Sequence, residues 1–363
     1  MTLTDSDPVV IIGGGQSGLA AARAVRDAGL RPVVLEAGDR PVGSWPHYYD
    51  SLTLFSPAGY SGMSGQAFPG DPDHYPHRDE VVSYLHGYAA GLDVEIRTGH
   101  RVGALEPDGA GFLVHTGAGS DTIRAAAVIA ATGSFATPYS PAIPGEENFT
   151  GEVIHVSDYR NPTHYNGKRV VVVGAGNSAI QIGHELAQVA TVTLATRHPI
   201  NFLPQRRLGR DLHYWLAVSG FDYLPPAWLA KIVQQTLVLD TGSYAAALHD
   251  GLIDRRPMFT AFDHDQIVWA DGATEDVHAV IFATGYRPNL GYLQPLGALD
   301  PTGAPLHAGG ISSTHAGLAY VGLEFQRSFS SNTLRGASRD AEYVVGPLAA
   351  HARGAAVAVG LQG

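Results

Sequence analysis

A chain of 363 residues, 45% hydrophobic and 16% charged, is long enough for two or three domains that each bury a core, and too apolar for disorder. Its formal net charge of −11, with no Lys/Arg run longer than two residues, argues against nucleic acid or an anionic membrane as partner. The absence of cysteine excludes disulfides, thiolate metal sites, cysteine nucleophiles and redox dithiols.

No basic stretch followed by an apolar one precedes Val9, and no apolar run reaches the ~18 residues of a membrane span, so a cytoplasmic location is expected. VVIIGGGQSGLA (9–20) predicts a strand, a glycine turn and a helix. Gly13, Gly15 and Gly18, with Ser17 among them, fit G-x-G-x-x-G in the strand-to-helix context that the motif needs. The first glycine permits the tight turn, the second lets backbone approach a pyrophosphate, and the third packs helix on sheet. The helix runs on through AAARAVRDAGL, stops at Gly29, and a second strand, PVVLE, ends on Glu36. His74 and His77 lack convergent carboxylates and read as a solvated loop, with no metal site expected. AAAVIAATGSF (125–135) is a buried strand running into Ala-Thr-Gly.

The pattern then repeats. VVVV at 170–173 leads into GAGNSA, with Gly174 and Gly176 in the first two positions and Ala179 in the third, where only close packing is required. The helix IQIGHELAQV follows, and the strand TVTLAT ends on Arg197 and His198. Glu36 lies 23 residues after Gly13, and Arg197 lies 23 residues after Gly174, so the two tips read as one place in two copies of a unit. An acidic tip accepts hydrogen bonds from ribose hydroxyls, whereas an arginine suits a 2′-phosphate. The first unit should therefore hold an adenine dinucleotide without that phosphate, and the second NADPH. His198 either adds to the phosphate pocket or ends the strand.

The segment 200–263 carries Phe202, Tyr214, Trp215, Phe221, Tyr223, Trp228, Phe259 and Phe262, and reads as an aromatic-rich helical stretch. Core is the expected role for most of these rings, an apolar substrate pocket the alternative. Arg206, Arg207 and Arg210 either reach the NADPH phosphates or face solvent. HAVIFATGYRPN (278–289) is a second buried strand ending in Ala-Thr-Gly, at Thr284 and Gly285. GLAYVGLEFQRSFSSNTLRG (317–336) reads as a strand into a helix.

With its two dinucleotide fingerprints and paired Ala-Thr-Gly strands, the chain resembles the flavoproteins whose FAD domain is interrupted by an inserted NADPH domain. FTGEVIHVSDY (149–159) fits F-x-G-x-x-x-H-x-x-x-Y through Phe149, Gly151, His155 and Tyr159. That pattern between two nucleotide units, with GAGNSA, FATGY and VGSWPHYYDSLTLFSPAGYSG (42–62), resembles the flavin-containing monooxygenases, most closely their short bacterial members. The resemblance implies an α/β fold of two Rossmann-type domains, FAD over 1–147 and 286–363 and NADPH over 148–285. It implies that Gly43, Ser44 and Trp45 line the flavin, that Thr132 and Gly133 close the FAD site, and that Asn177 and Ser178 contact the NADPH diphosphate. Gly322 stands where relatives place Gly-Asp, but Leu323 follows it. The family's asparagine beside the flavin is also missing: no Asn precedes Asn148, and the stretch after Trp45 offers Ser56 and Pro57.

The implied activity is NADPH-dependent formation of a C4a-(hydro)peroxyflavin and insertion of one oxygen of O₂ into an apolar sulfide, amine or ketone. His155 is the candidate for proton transfer, with a scaffold role as the blander alternative. An NADPH oxidase or quinone reductase needs no further residues, and a non-enzymatic redox-sensing protein is the rival of another class. A dithiol reductase is eliminated by the missing cysteines.

Overall fold

The computed structural model describes residues 7–117, 121–228 and 237–360, with side chains to 354. Residues 1–6, which bear on the leader reading, and 229–236 of the aromatic segment lie outside the described set.

Two parallel-centred sheets carry the fold. The first has seven strands in the order His307–Ala308, Ile311–Ser312, Leu318–Tyr320, Ala127–Ala130, Val9–Ile12, Pro32–Leu35, Glu95–Arg97. Its central strands are continuous β-branched and alanine runs buried along their whole length, as a parallel sheet covered on both faces requires. One face packs against helices Gln16–Asp27, Arg78–Ala90 and Leu334–Gly360. The other lies under the antiparallel meander Val102–Ala125 and the turn Gly291–Leu296.

The second sheet has five strands in the order Asp254–Pro257, Thr191–Thr196, Arg169–Val173, Ala279–Phe282, Glu152–His155. Helices Asn177–Leu186 and Ser243–His249 pack on one face. Phe259, Phe262 and Trp269 fill the other, beside the three-stranded antiparallel sheet from Ala261 to Asp276. All five strands fall between Glu152 and Phe282, after Ala127–Ala130 of the first sheet and before its return at His307.

The described part of the segment 200–263 mixes short helices with strands rather than forming a helical stretch. It holds the short helices Leu212–Val218 and Ser243–His249, the single 3-10 turn Phe221–Tyr223 and helical residues at 226–228, beside the parallel pair Asn201–Pro204/Leu237–Asp240 and the hairpin Arg206–Arg207/Arg210–Asp211. Nor are most of its aromatics core. Phe259 and Phe262 are, but Phe202, Tyr214, Trp215 and Phe221 are half-buried, and Tyr223 and Trp228 are 63% and 64% exposed. The short helices leave rings on surfaces facing other segments rather than a common interior: Phe221 meets Phe329, and Trp215 Nε1 donates to Arg207 O.

Candidate active site between two glycine-turn cradles

Each cradle is a strand, a tight turn and a helix whose N-terminus is left open. Gly13 and Gly174 adopt φ of +107° and +144°, conformations that side chains rarely tolerate, and a Cβ on either would overlap the carbonyl of Ala131 or Ala283. The helices Gln16–Asp27 and Asn177–Leu186 begin at Gly15 and Gly176, with no side-chain cap and no acid in the first turn. Their first N–H groups thus lack intrahelical partners and face outward with the positive dipole end, the environment a diphosphate needs. Gly18 lies against Gly13 O, and Ala179 is fully buried beside Gly174. Both cradles therefore fit a dinucleotide.

Their tips differ in charge and also in register. Glu36 is buried and turned back onto the turn: Gly14 N donates to its Oε2 at 2.6 Å and Gly38 N to its Oε1 at 2.7 Å. In the first sheet Ile12 pairs with Leu35, whereas in the second Val173 pairs with Ala195. The residue matching Glu36 in the ladder is thus Thr196, not Arg197. Equal sequence spacing hid the offset because the second connection is one residue shorter to the strand and its strand runs one residue further. Thr196 is buried and accepts from Arg255 Nε at 2.7 Å, while Arg197 and His198 stand exposed beyond it.

Arg255 was not among the expected site residues. It lies on the strand Asp254–Pro257, beside Leu194, and reaches along the strand to Thr196, so its guanidinium comes to the tip that carries Arg197. The only sequence signal was a second Arg-Arg pair, Arg255-Arg256.

The loop after Gly43 joins the cradles. Gly43 packs on Gly15, where a Cβ would come within 2.9 Å of Gly15 Cα. Ser44 Oγ is 3.0 Å from Tyr48 OH, and Trp45 Nε1 donates to Gln16 Oε1 at 2.9 Å. Gln16 Nε2 donates in turn to Asn332 O, tying the first turn, the loop and the C-terminal return together. Further along, Tyr49 OH donates to Gln181 Oε1 at 2.6 Å, and Gln181 Nε2 to Thr53 O. One short loop thus touches the first glycine turn at its start and the helix of the second unit a few residues later. Gln16 and Gln181 sit at unspecified positions of their motifs, so no pattern flagged them.

The remaining expected residues fall into three places. Ser17, Gly322 and Gly133 converge: a Cβ on Gly322 would overlap the Ser17 side chain, with Gly133 Cα 4.0 Å away. Thr132 Oγ1 lies 3.4 Å from Asn289 O and Tyr292 OH. Asn177 Oδ1 accepts from Leu239 N at 3.2 Å, Ser178 follows it in the first helical turn, and Thr284 Oγ1 donates to Tyr139 O. Ser56, in the stretch after Trp45 that carries no asparagine, is buried and bonded to Ser61 Oγ within its own loop.

His155 is buried, and both ring nitrogens are committed. Ser157 N donates to Nδ1 at 3.1 Å, which makes Nδ1 an acceptor and leaves Nε2–H to donate to Gly285 O at 3.0 Å. Tyr286 packs edge-on at 4.9 Å. Burial pushes the pKa of His155 down, against the bond to Gly285 and the charge of Asp158. The rest of the fingerprint is also engaged: Phe149 packs on Phe262, Gly151 on Phe149, and Tyr159 OH donates to Glu185 Oε2. Among the described residues no cluster of His, Asp and Glu is arranged to hold a metal, and no helix is long and apolar enough to cross a membrane.

Residues 10–217 match the family model of pyridine nucleotide-disulphide oxidoreductases. The chain is 31% identical over 347 residues to an uncharacterized CzcO-like oxidoreductase of Geobacillus kaustophilus, covering 94% of this chain and 98% of that one. It is 30% identical over 336 residues to the indole-3-pyruvate monooxygenase YUCCA4 of Oryza sativa subsp. japonica, covering 80% and 76%. Among solved structures it is similar to the flavin-containing monooxygenase of Stenotrophomonas maltophilia, with a TM-score of 0.83, 32% identity and coverage of 96% and 99%.

Proposed function

Because the chain belongs to the flavin-containing monooxygenase branch of the pyridine nucleotide-disulphide oxidoreductases, oxygen-inserting flavoenzymes that use FAD and NADPH, we propose an assignment of its cradles. Residues 1–147 and 286–363 form the FAD domain, and residues 148–285 the NADPH domain. FAD lies along Gly13, Gly15, Ser17 and Gly18, with Glu36 on its ribose. Gly43, Ser44 and Trp45 line its ring, and Thr132, Gly133 and Gly322 close the site. NADPH lies along Gly174, Gly176, Asn177, Ser178 and Ala179, with Arg197, His198 and Arg255 at its 2′-phosphate and Thr284 and Gly285 at the far side. The disulphide chemistry in the wider family's name is barred to a chain without cysteine.

When bound, FAD would supply hydride acceptance from NADPH and the activation of O₂ for transfer of one oxygen atom. The chain's own part is to bind both dinucleotides, bring them together through the loop from Gly43 to Ser56, and keep water out. The single observation that carries this reading is that one loop touches both cradles, through Gly43 on Gly15 and Tyr49 on Gln181. His155 acts as a scaffold. With Nδ1 accepting from Ser157 and Nε2 donating to Gly285, it holds the connection between domains rather than moving a proton.

The substrate is a soft nucleophile or a ketone. The ketone class gains support from the YUCCA4 relative, named for a 2-oxo acid. A second reading is favoured by one observation: the stretch after Trp45 carries no asparagine, and the buried Ser56 is bonded to Ser61 within its own loop. NADPH oxidation that releases hydrogen peroxide would follow. Purified protein, a flavin spectrum and a panel of sulfides and ketones under ¹⁸O₂ test both. Product carrying the label supports monooxygenation; stoichiometric peroxide with no labelled product refutes it.

A further inference from the structure

The chain's acidity is not spread evenly. The hairpin Arg206–Arg207/Arg210–Asp211 brings three arginines together. Arg206 stands opposite Asp211 in the ladder, whose carboxylate is taken up by other donors, and among the described residues no ion pair is formed by Arg206, Arg207 or Arg210. Arg206 donates to Gly209 O within the turn, and Arg210 lies over the Tyr214 ring at 5.2 Å. At the tip stands Leu208, 90% exposed. Tyr214 and Trp215 meet edge-on at 5.1 Å at the hairpin's foot, and exposed Val218 follows one helical turn later.

Leucine is a poor choice for this turn. Leu208 and Gly209 adopt φ of +49° and +74°, the pair of left-handed positions for which two-residue hairpins favour Asn-Gly. An apolar side chain held there against backbone preference, flanked by three exposed arginines and by exposed Val218, suits a use outside the chain.

The base, by contrast, is fixed. Asp211 accepts from Tyr75 OH, Gln205 Nε2, and His213 N and Nδ1, at 2.6–2.8 Å. Burial raises its pKa, but these bonds outweigh burial and hold it at about 2. Gln205 Nε2 also donates to Phe55 O, at the end of the loop that joins the cradles.

We propose that this hairpin is a docking element for an anionic lipid bilayer, with Leu208 entering the acyl boundary and Arg206, Arg207 and Arg210 on lipid phosphates. Arg207 and Arg210 face each other across the hairpin and project from one side, with Arg206 on the other. Cations on both sides of a convex apolar tip match a plane of headgroups better than one small anion. A twofold contact between copies through this patch would set its cations against themselves. Because Gln205 ties the base to Phe55, docking would hold the cleft at the surface where apolar substrates concentrate.

Co-sedimentation of the full-length holoprotein with vesicles tests this, using phosphatidylcholine alone or with a third phosphatidylglycerol. The expected result is binding to the anionic vesicles, weak binding to the neutral ones, and release by salt. Neutralising each arginine should lower partitioning about fivefold, and Leu208→Asn about tenfold. Leu208→Asn should at the same time keep or raise Tm, because asparagine tolerates the left-handed turn; a merely structural leucine would show the opposite. No binding to anionic vesicles, Leu208→Asn binding like wild type, or a Leu208-dependent dimer in light scattering without vesicle binding would each overturn the proposal.

Discussion

Tyr49 and Gln181 lie 132 positions apart in sequence, yet the phenol of one donates to the side-chain amide of the other at 2.6 Å. Tyr49 is buried in the same apolar cluster as Val172, Ile180 and Ile182 of the second unit, although it belongs to the loop that starts on the first glycine turn. Burial pushes its pKa up, so the group remains a neutral donor across the working pH range. Tyr49→Phe removes the bond but keeps the ring. Loss of about 1 kcal/mol of stability is expected, with a roughly three- to tenfold slower reduction of FAD by NADPH because the two dinucleotides are less well aligned. Anaerobic stopped-flow reduction beside a thermal melt checks this. An unchanged reduction rate would detach the loop from hydride transfer.

Glu36→Gln should separate FAD binding from folding. The carboxylate accepts from Gly14 N and Gly38 N, and charge-assisted bonds of this kind are worth about 1.5–3 kcal/mol. With the ribose hydroxyls as further donors, the variant should bind FAD at least roughly tenfold more weakly. It should be purified largely colourless and regain flavin absorbance at raised FAD. Retention of full flavin through purification would show that the tip does not bear on the cofactor.

Much of this was legible in the chain, and the reason is locality. Strand, glycine turn and helix are consecutive, so VVIIGGGQSG and VVVVGAGNSA announce both cradles, and the buried runs at 127–130 and 279–282 announce their neighbouring strands. The rest depends on contacts that no spacing encodes. The ladder offset that matches Glu36 with Thr196 arises from where each second strand enters its sheet, which counting from a glycine cannot see. Arg255 reaches Thr196 from another strand, and Gln16 and Gln181 act from positions at which the motifs accept any residue. The aromatics of 200–263 misled for a related reason: a ring signals burial only where its element has a core-facing side, and the short helix Leu212–Val218 buries only His213.

Arg197→Ala and Arg255→Met should change cofactor preference by different routes. Arg197 is exposed and free to reach a 2′-phosphate, so its loss should cut kcat/KM for NADPH about tenfold to a hundredfold relative to NADH. Arg255 is already bonded to Thr196, so Arg255→Met should cost about tenfold for NADPH and also loosen the tip. Steady-state kinetics with both nucleotides, and competition by 2′,5′-ADP against 5′-AMP, resolve the two. An Arg197→Ala variant with unchanged preference would remove the 2′-phosphate from this strand end altogether.

His155 makes a prediction about pH. Its folded pKa is lowered by burial, against an ordinary value of 6.5, and the groups facing it are Ser157, Gly285, Tyr286 and Asp158. Above the unfolded pKa both states hold a neutral ring, and the contribution of His155 is fully present. As pH falls below it, the unfolded chain takes up a proton that the folded chain excludes, so stability declines until the lowered folded pKa is reached. His155→Gln keeps a donor for Gly285 O but cannot titrate. Denaturant melts from pH 8 to 5.5 should therefore show the variant less stable than wild type by about 1 kcal/mol at the alkaline end, with the gap narrowing toward acid. The half-buried His307, also shifted down by desolvation, leaves a residual slope in both proteins. The same variant separates the two roles of this histidine. A scaffold predicts a flavin reduction rate within a few-fold of wild type once the protein is folded, whereas a proton-transfer group predicts a loss on the order of a hundredfold or more with an altered pH profile.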